Sequence, residues 1–232
     1  MAAIVKVKSV GAKKNKKSKK NKKREMLCLA NSRKPGGRCV AGLLPDGSWI
    51  RPVTATEGGT LTSAMCTLDK GRPVRALDVV RVGVTQPEPR LHQPENWVIT
   101  GKRWKLVETR NLDDIQDFLD GALTDEPELF GTTSNKVAWS RIQRRGTDSS
   151  LALVKAKNPT FGWNPHKPSQ RRAKFVYRGF TYDLPITFEF DLPPTGEQEH
   201  RSASTWYFTI SLGEPYEGSC FKLIAGALEA PA

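Results

Sequence analysis

The sequence predicts a mainly β fold: two small β-barrels in tandem with one or two short helices, preceded by a disordered basic N-terminal arm. Three observations predict it. About ten short apolar runs are separated by turn-forming residues, the pattern of many short strands. The chain holds 19 Gly and 16 Pro, yet only one stretch reads convincingly as a helix. The composition also changes abruptly at Glu25. Short strands with Gly and Pro turns favour barrels over α/β layers. No internal sequence repeat relates the two halves, so the barrels share shape alone.

The arm comes first. Residues 1–24 contain ten Lys, Arg24 and no acid, whereas the rest of the chain carries 26 basic against 24 acidic side chains. The net charge of +13 is therefore a property of the arm, and the body is close to neutral. A segment such as GAKKNKKSKKNKKR cannot bury apolar surface and is expected to be disordered. Its cations (Lys13, Lys14, Lys16, Lys17, Lys19, Lys20, Lys22, Lys23 and Arg24) neutralise phosphates by counterion release, without sequence preference. The same composition also suits a solubilising tail or a tether to anionic lipid or an acidic protein.

The first barrel is expected over residues 25–110. Apolar runs at 26–30, 38–44 and 49–53 are separated by NSRKPGG and PDGS, both turn-forming, and read as a meander. Residues 77–84 alternate with a period of two, and shorter extended runs follow at 97–100 and 104–107. The second β domain is expected over 111–232. It opens with the one clear helix, 112–119, with Asn111 as candidate N-cap, Asp113 and Asp114 in the first turn, and a stripe of Leu112, Ile115, Phe118 and Leu119. Strands are then expected at 151–154, 174–177, 180–186, 205–212 and 220–225, with Arg178-Gly179 as a tight hairpin and 193–204 as a polar loop.

Several function classes find no support. Cys28, Cys39, Cys66 and Cys220 form no C-x-x-C motif, and three of them sit in apolar, strand-like runs; they read as reduced core cysteines. His92, His166 and His200 are scattered, no phosphate-binding Gly-rich loop is present, and no carboxylates pair at metal-ligand spacing. No catalytic residue, metal or organic cofactor is implied. The start lacks a signal-peptide pattern and no run is long enough to span a membrane, so a cytoplasmic protein is expected.

Residues 26–53, MLCLANSRKPGGRCVAGLLPDGSWIRPV, resemble the opening of the prokaryotic dual-OB-fold family, in which two oligonucleotide/oligosaccharide-binding barrels occur in tandem. The matching pieces are Cys28-Leu29-Ala30, Asn31-Ser32-Arg33-Lys34, Gly37-Arg38-Cys39-Val40-Ala41-Gly42 and Trp49-Ile50-Arg51-Pro52-Val53. Gln93-Pro94-Glu95-Asn96, Ser211-Leu212-Gly213-Glu214-Pro215 and the run from Cys220 to Ala225 are similar to later segments. The resemblance spans about residues 25–226 and leaves the arm outside. It implies two OB-like barrels and a role in holding or sensing nucleic acid within prokaryotic conflict, defence or mobile-element systems. It brings no catalytic residues.

Two patches are candidate nucleic-acid sites. In the first, Arg33, Lys34 and Arg38 cluster around a Gly-rich turn, Asn31 and Ser32 suit a base edge or sugar, and Trp49 and Arg51 follow in the next strand. The loop joining the first two strands of an OB barrel borders the ligand groove. Structurally, Asn31 and Ser32 equally cap the turn and Trp49 fills the core. In the second, residues 167–182, Arg171, Arg172, Lys174 and Arg178 interleave with rings such as Tyr177, the mixture that holds single strands. Strand alternation would instead turn those rings inward. The function expected is binding of DNA or RNA, single-stranded or structured, alongside a partner protein of the same system. The alternatives are an adaptor that docks a partner enzyme and, more remotely, a nucleotide-processing enzyme.

Overall fold

The computed structural model describes residues 22–69, 71–190 and 199–231. It is mainly β, and two barrels repeat one strand order. In the first, β1 (Lys22–Lys34), β2 (Gly37–Leu43) and β3 (Trp49–Val53) form a meander, followed by β4 (Asp78–Pro87), β5 (Asn96–Ile99) and β6 (Lys105–Thr109). The hydrogen-bonded order is β1-β2-β3-β5-β4-β6, and β4 returns to β1, which closes five strands into a barrel. One long strand serves two neighbours because it bends. Residues 22–27 pair with β4 and 27–34 with β2, with a register shift at Cys28/Ala30.

The second barrel follows α1 (Gln116–Gly121), β7 (Lys136–Ala138) and α2 (Trp139–Arg145). Its strands are β8 (Leu151–Lys157), β9 (Thr160–Asn164), β10 (Lys167–Tyr177), β11 (Phe180–Pro185), β12 (His200–Arg201), β13 (Thr205–Tyr216) and β14 (Ser219–Glu229). Asn158, at φ 50°, breaks one bent strand into β8, which pairs with β13, and β9, which pairs with β10. A parallel bridge between Ile186 and Ile224 brings the end of β11 to β14. The order β8/β9-β10-β11-β14-β13 thus matches that of the first barrel, with a looser closure.

Each barrel fills its interior with the inward residues of its own strands. Val80, Val82 and Val84 of β4 join Met26, Cys28, Val40, Ile50 and Trp104 in the first. Phe161, Phe175, Tyr182, Leu184, Phe208 and Ile210 fill the second. A third apolar layer lies between the barrels, where Leu27, Leu29 and Leu43 meet Leu112, Ile115, Leu119, Leu153 and Tyr207. At roughly 1.5–3 kcal/mol for each fully buried large apolar side chain, this layer is the main attraction holding the barrels together. Ala30, Ala41 and Ala225 extend it around Leu151, their small side chains letting the sheets approach closely.

Several sequence expectations need correction. The first strand begins at Lys22 rather than at residue 26: Lys22, Lys23 and Arg24 pair with Val84, Gly83 and Val82 and belong to the barrel rather than to the arm. Arm lysines 13–20 lie outside the described residues. The NSRKPGG turn is shorter than expected, because β1 runs on to Lys34 and only Pro35 and Gly36 lie between the strands. The helix stripe sits where expected, but its first turn is 3-10 and Asn111 makes no side-chain cap among the described residues. Strands β7 and β9 and helix α2 were not expected, nor was β12 within the expected 193–204 loop; short polar-rich strands carry little periodic signal. No helix among the described residues is long and apolar enough to cross a membrane.

Lys222 of β14 is fully buried, and its ammonium donates to the Thr132 carbonyl at 2.6 Å and to Thr132 Oγ1 at 3.0 Å. It thereby pins the 128–136 segment to the barrel. Burial, with Arg141 nearby and only Glu128 opposing, pulls its pKa down to about 7. The unfolded chain therefore holds this proton more tightly, so stability rises from pH 7 towards 10.5. Thermal unfolding across that window should show a rise that is absent in Lys222→Met. Gly226 gives a second test. A Cβ there would lie 2.0 Å from the Leu29 carbonyl oxygen of the first barrel. Gly226→Ala should lose about 1–3 kcal/mol by denaturant titration, the cost of overpacking.

Candidate nucleic-acid interface

In an OB barrel, the ligand crosses the face of the second and third strands, between two flanking loops. In the first barrel this face is covered. Ala41 of β2 packs on Leu151 and Ala225, and Leu43 packs on Leu153 and Tyr207 of the second barrel. The loop between β4 and β5 is drawn in as well. Glu95 accepts from Arg51 Nε at 2.9 Å and from the hydroxyl and backbone N–H of Ser150.

Arg51 is therefore no phosphate ligand. Its side chain is 3% exposed, and it donates to Cys39 Sγ, to Ser150 Oγ at 2.8 Å and to Ser211 Oγ at 3.2 Å as well as to Glu95. The reason is positional, since β3 lies in the middle of the covered face. Burial works against charge on Glu95, but the adjacent Arg51 and the Ser150 hydroxyl hold its carboxyl below the usual range. A neighbouring node has the same character. Lys34 donates to Gly58 O at 2.7 Å and to Glu214 at 3.1 Å, and His92 Nε2 lies 2.9 Å from the same carboxylate. Against the burial that opposes its charge, these two partners bring the Glu214 carboxyl to about 2.

The other residues of the first patch divide. Asn31 donates to Val74 O at 2.8 Å and accepts from Arg38 Nε at 2.9 Å, and buried Ser32 donates to Cys39 O. Both are turn-stabilising residues with their polar groups engaged. Trp49 is half-buried beside the apolar layer, away from the turn's cations. Arg33 alone is widely exposed, at 67%, and its guanidinium lies 3.0 Å from Glu189 Oε1; Arg38 approaches the same oxygen at 3.6 Å.

In the second patch the alternation turns three rings inward and leaves Phe180 exposed with the cations. Phe175, Tyr177 and Tyr182 point into the core, and the Tyr177 hydroxyl donates to Glu126 O at 2.6 Å, so none of the three is available for stacking. Arg172 pairs with Asp183 across the β10–β11 ladder at 2.8 Å. Lys174 stays exposed, and Arg178 occupies the hairpin turn at φ 48°, 5.8 Å from the Tyr177 ring centroid.

One element of each patch does come together. Arg33 from β1 and Arg171 from β10 line a cleft of about 450 Å³ with Trp163, Ser169, Thr187, Phe188, Glu189 and Phe190. The Arg171 guanidinium lies 5.0 Å from the Trp163 ring centroid. Phe188 meets Phe190 at 5.4 Å, and Phe190 meets Phe161 at 5.3 Å and Trp206 at 5.7 Å, so these rings continue from the core to the cleft. The first barrel is fixed against this wall by the Arg33 N–H, which donates to Thr187 O at 2.6 Å. Trp163, Phe188 and Phe190 carried no motif in the sequence. Their signal was an aromatic pair flanking an acid, Phe-Glu-Phe, just beyond a strand end.

Two barrels of OB strand order, with a cation-and-ring cleft at their junction, define a tandem-OB protein of the class suited to oligonucleotides. The sequence model of the dual OB-containing domain matches residues 24–227, and the chain belongs to that family. Neither a curated protein nor a solved structure matches it.

The buried node makes a quantitative prediction. Removing one partner of a buried, hydrogen-bonded ion pair costs about 3–5 kcal/mol. Arg51→Met and Glu95→Gln should each show a loss of that order in denaturant unfolding. The double variant should lose much less than the sum, which a double-mutant cycle will measure.

Proposed function

We propose that the protein binds single-stranded nucleic acid in the cleft lined by Arg33, Arg171, Trp163, Phe188 and Phe190. The observation that carries this reading is the cleft's composition. Two guanidiniums from different barrels flank Trp163, Phe188 and Phe190, rings that stay partly exposed although the two phenylalanines also pack on the second core. Cations that track a backbone beside stacking rings are what unpaired strands require, and each stacked base is worth about 1–3 kcal/mol.

Glu189 supports the reading rather than opposing it. Its carboxylate lies where a phosphate oxygen would, bridging Arg33 and Arg38, and these two cations hold it below its usual range. An exposed pair of this kind contributes only about 0–1 kcal/mol, so a phosphate displaces it at little cost. The lysines of residues 1–21 then add affinity and encounter rate without distinguishing one ligand from another. A prokaryotic defence or mobile-element role, with a partner protein of that system, belongs to this same proposal.

Arg33→Ala and Arg171→Ala should each weaken binding of a labelled single-stranded oligonucleotide by about 1–3 kcal/mol, with the melting temperature unchanged. Trp163→Ala should reduce affinity with no change in salt slope, and deletion of residues 1–21 should lower affinity for every nucleic acid alike. Fluorescence anisotropy over a salt series separates these effects. Wild-type affinity in the Arg33→Ala/Arg171→Ala double variant would rule out the cleft and favour the adaptor.

A further inference from the structure

The Trp49 side chain, which the cleft leaves unused, lines a second cavity of about 380 Å³ that shares no residue with it. Its walls are β8, the segment around residues 122–126, and helix α2 with the turn that follows it. Phe130, Val137, Ile142 and Leu153 supply apolar surface alongside half-buried Trp49. Arg141 and Arg145 stand one helical turn apart on α2 and both face the cavity.

Arg141 is the informative group. It is half-buried, yet among the described residues it makes no ion pair and no side-chain hydrogen bond. Its guanidinium rests against Gly131, where the absent Cβ leaves room for Nη2 to lie close over the backbone. The backbone there also holds Phe130 in the left-handed region, at φ 52°. Left-handed geometry at a bulky residue costs about 1–3 kcal/mol and clusters at ligand sites. Asp125, Glu126 and Asp148 are exposed lining residues, and among the described residues none pairs with either arginine. The cavity therefore offers cations for an anion, rings for a flat group and carboxylates for hydroxyl or amino donors.

We infer that this cavity binds a nucleoside monophosphate, with phosphate on Arg141 and Arg145, the base against Trp49 and Phe130, and sugar or amino donors on the exposed acids. Its volume lies at the small end of the range for ligand pockets, which suits one nucleotide rather than a strand.

The test uses the full-length protein and the four common ribonucleoside 5′-monophosphates in calorimetric titration, with the parent nucleosides and inorganic phosphate as controls. At least one monophosphate should bind more than about tenfold more tightly than its nucleoside, since the charge-assisted contacts to phosphate are lost. Arg141→Gln should weaken that monophosphate by about tenfold or more, Arg141→Lys by less, and Trp49→Phe should abolish ligand-induced quenching of tryptophan fluorescence. The Arg33→Ala/Arg171→Ala variant should bind the monophosphate as the parent does, while Arg141→Gln keeps oligonucleotide affinity. Absence of binding at millimolar monophosphate, equal affinity in folded Arg141→Gln, or loss of binding in the cleft variant would each overturn the assignment.

Discussion

The burial of the Arg51–Glu95 pair at the junction of two barrels is the constraint from which the rest of the architecture follows. A charged pair of this kind contributes little net stability, because desolvation offsets most of the attraction. Its effect is on register. Arg51 donates to Glu95, Ser150 and Ser211, three segments brought from both barrels, so one relative placement satisfies all of them. The apolar layer of Leu27, Leu29, Leu43, Leu153 and Tyr207 provides the attraction but is tolerant of small slips. Polar specificity and apolar strength are thus divided between adjacent residues.

That placement redirects function. The face of the first barrel that would hold a ligand in an isolated OB fold is used up as an internal surface. Its flanking loops are tied down by Lys34, His92 and Glu214. What the junction removes there it creates elsewhere, since Arg33 at the end of β1 is brought beside Arg171 and the rings of the second barrel. A composite cleft of this kind exists only when both barrels are docked, and the N–H of Arg33 on the Thr187 carbonyl is part of the docking.

Strand β13 explains why the junction is hard to see in advance. Phe208 and Ile210 fill the second barrel, while Tyr207, Thr209 and Ser211 face the first barrel. Thr209 donates to the Leu29 carbonyl at 3.2 Å, and Tyr207 to Asp120 at 2.6 Å. A strand with alternating polar residues ordinarily has one solvated face. Here the polar face is dry because Tyr207 and Thr209 find acceptors on other elements, while Ser211 donates to the Leu212 carbonyl of its own strand and accepts from Arg51.

By itself, the sequence determined the β class, the strands from 26 to 53, the alternation along β4, the helix stripe from Leu112 to Leu119 and the Arg178-Gly179 hairpin. These depend on local periodicity and turn chemistry, which act over a few residues and are written in the order of the side chains. It also singled out Arg33, one of three cations around a Gly-rich turn in a nearly neutral body, and Arg171, one of several cations interleaved with rings over residues 167–182. Only the tertiary structure decided that Arg51 and Tyr177 are buried, that Trp49 faces a separate cavity, and that Trp163, Phe188 and Phe190 line the cleft. Those outcomes turn on contacts well beyond any local window, such as Arg51 with Ser150 and Ser211, 99 and 160 residues away, and Tyr177 with Glu126, 51 residues away. No local pattern encodes which face of a strand a second barrel will cover, because that depends on the shape and polarity of both surfaces at once.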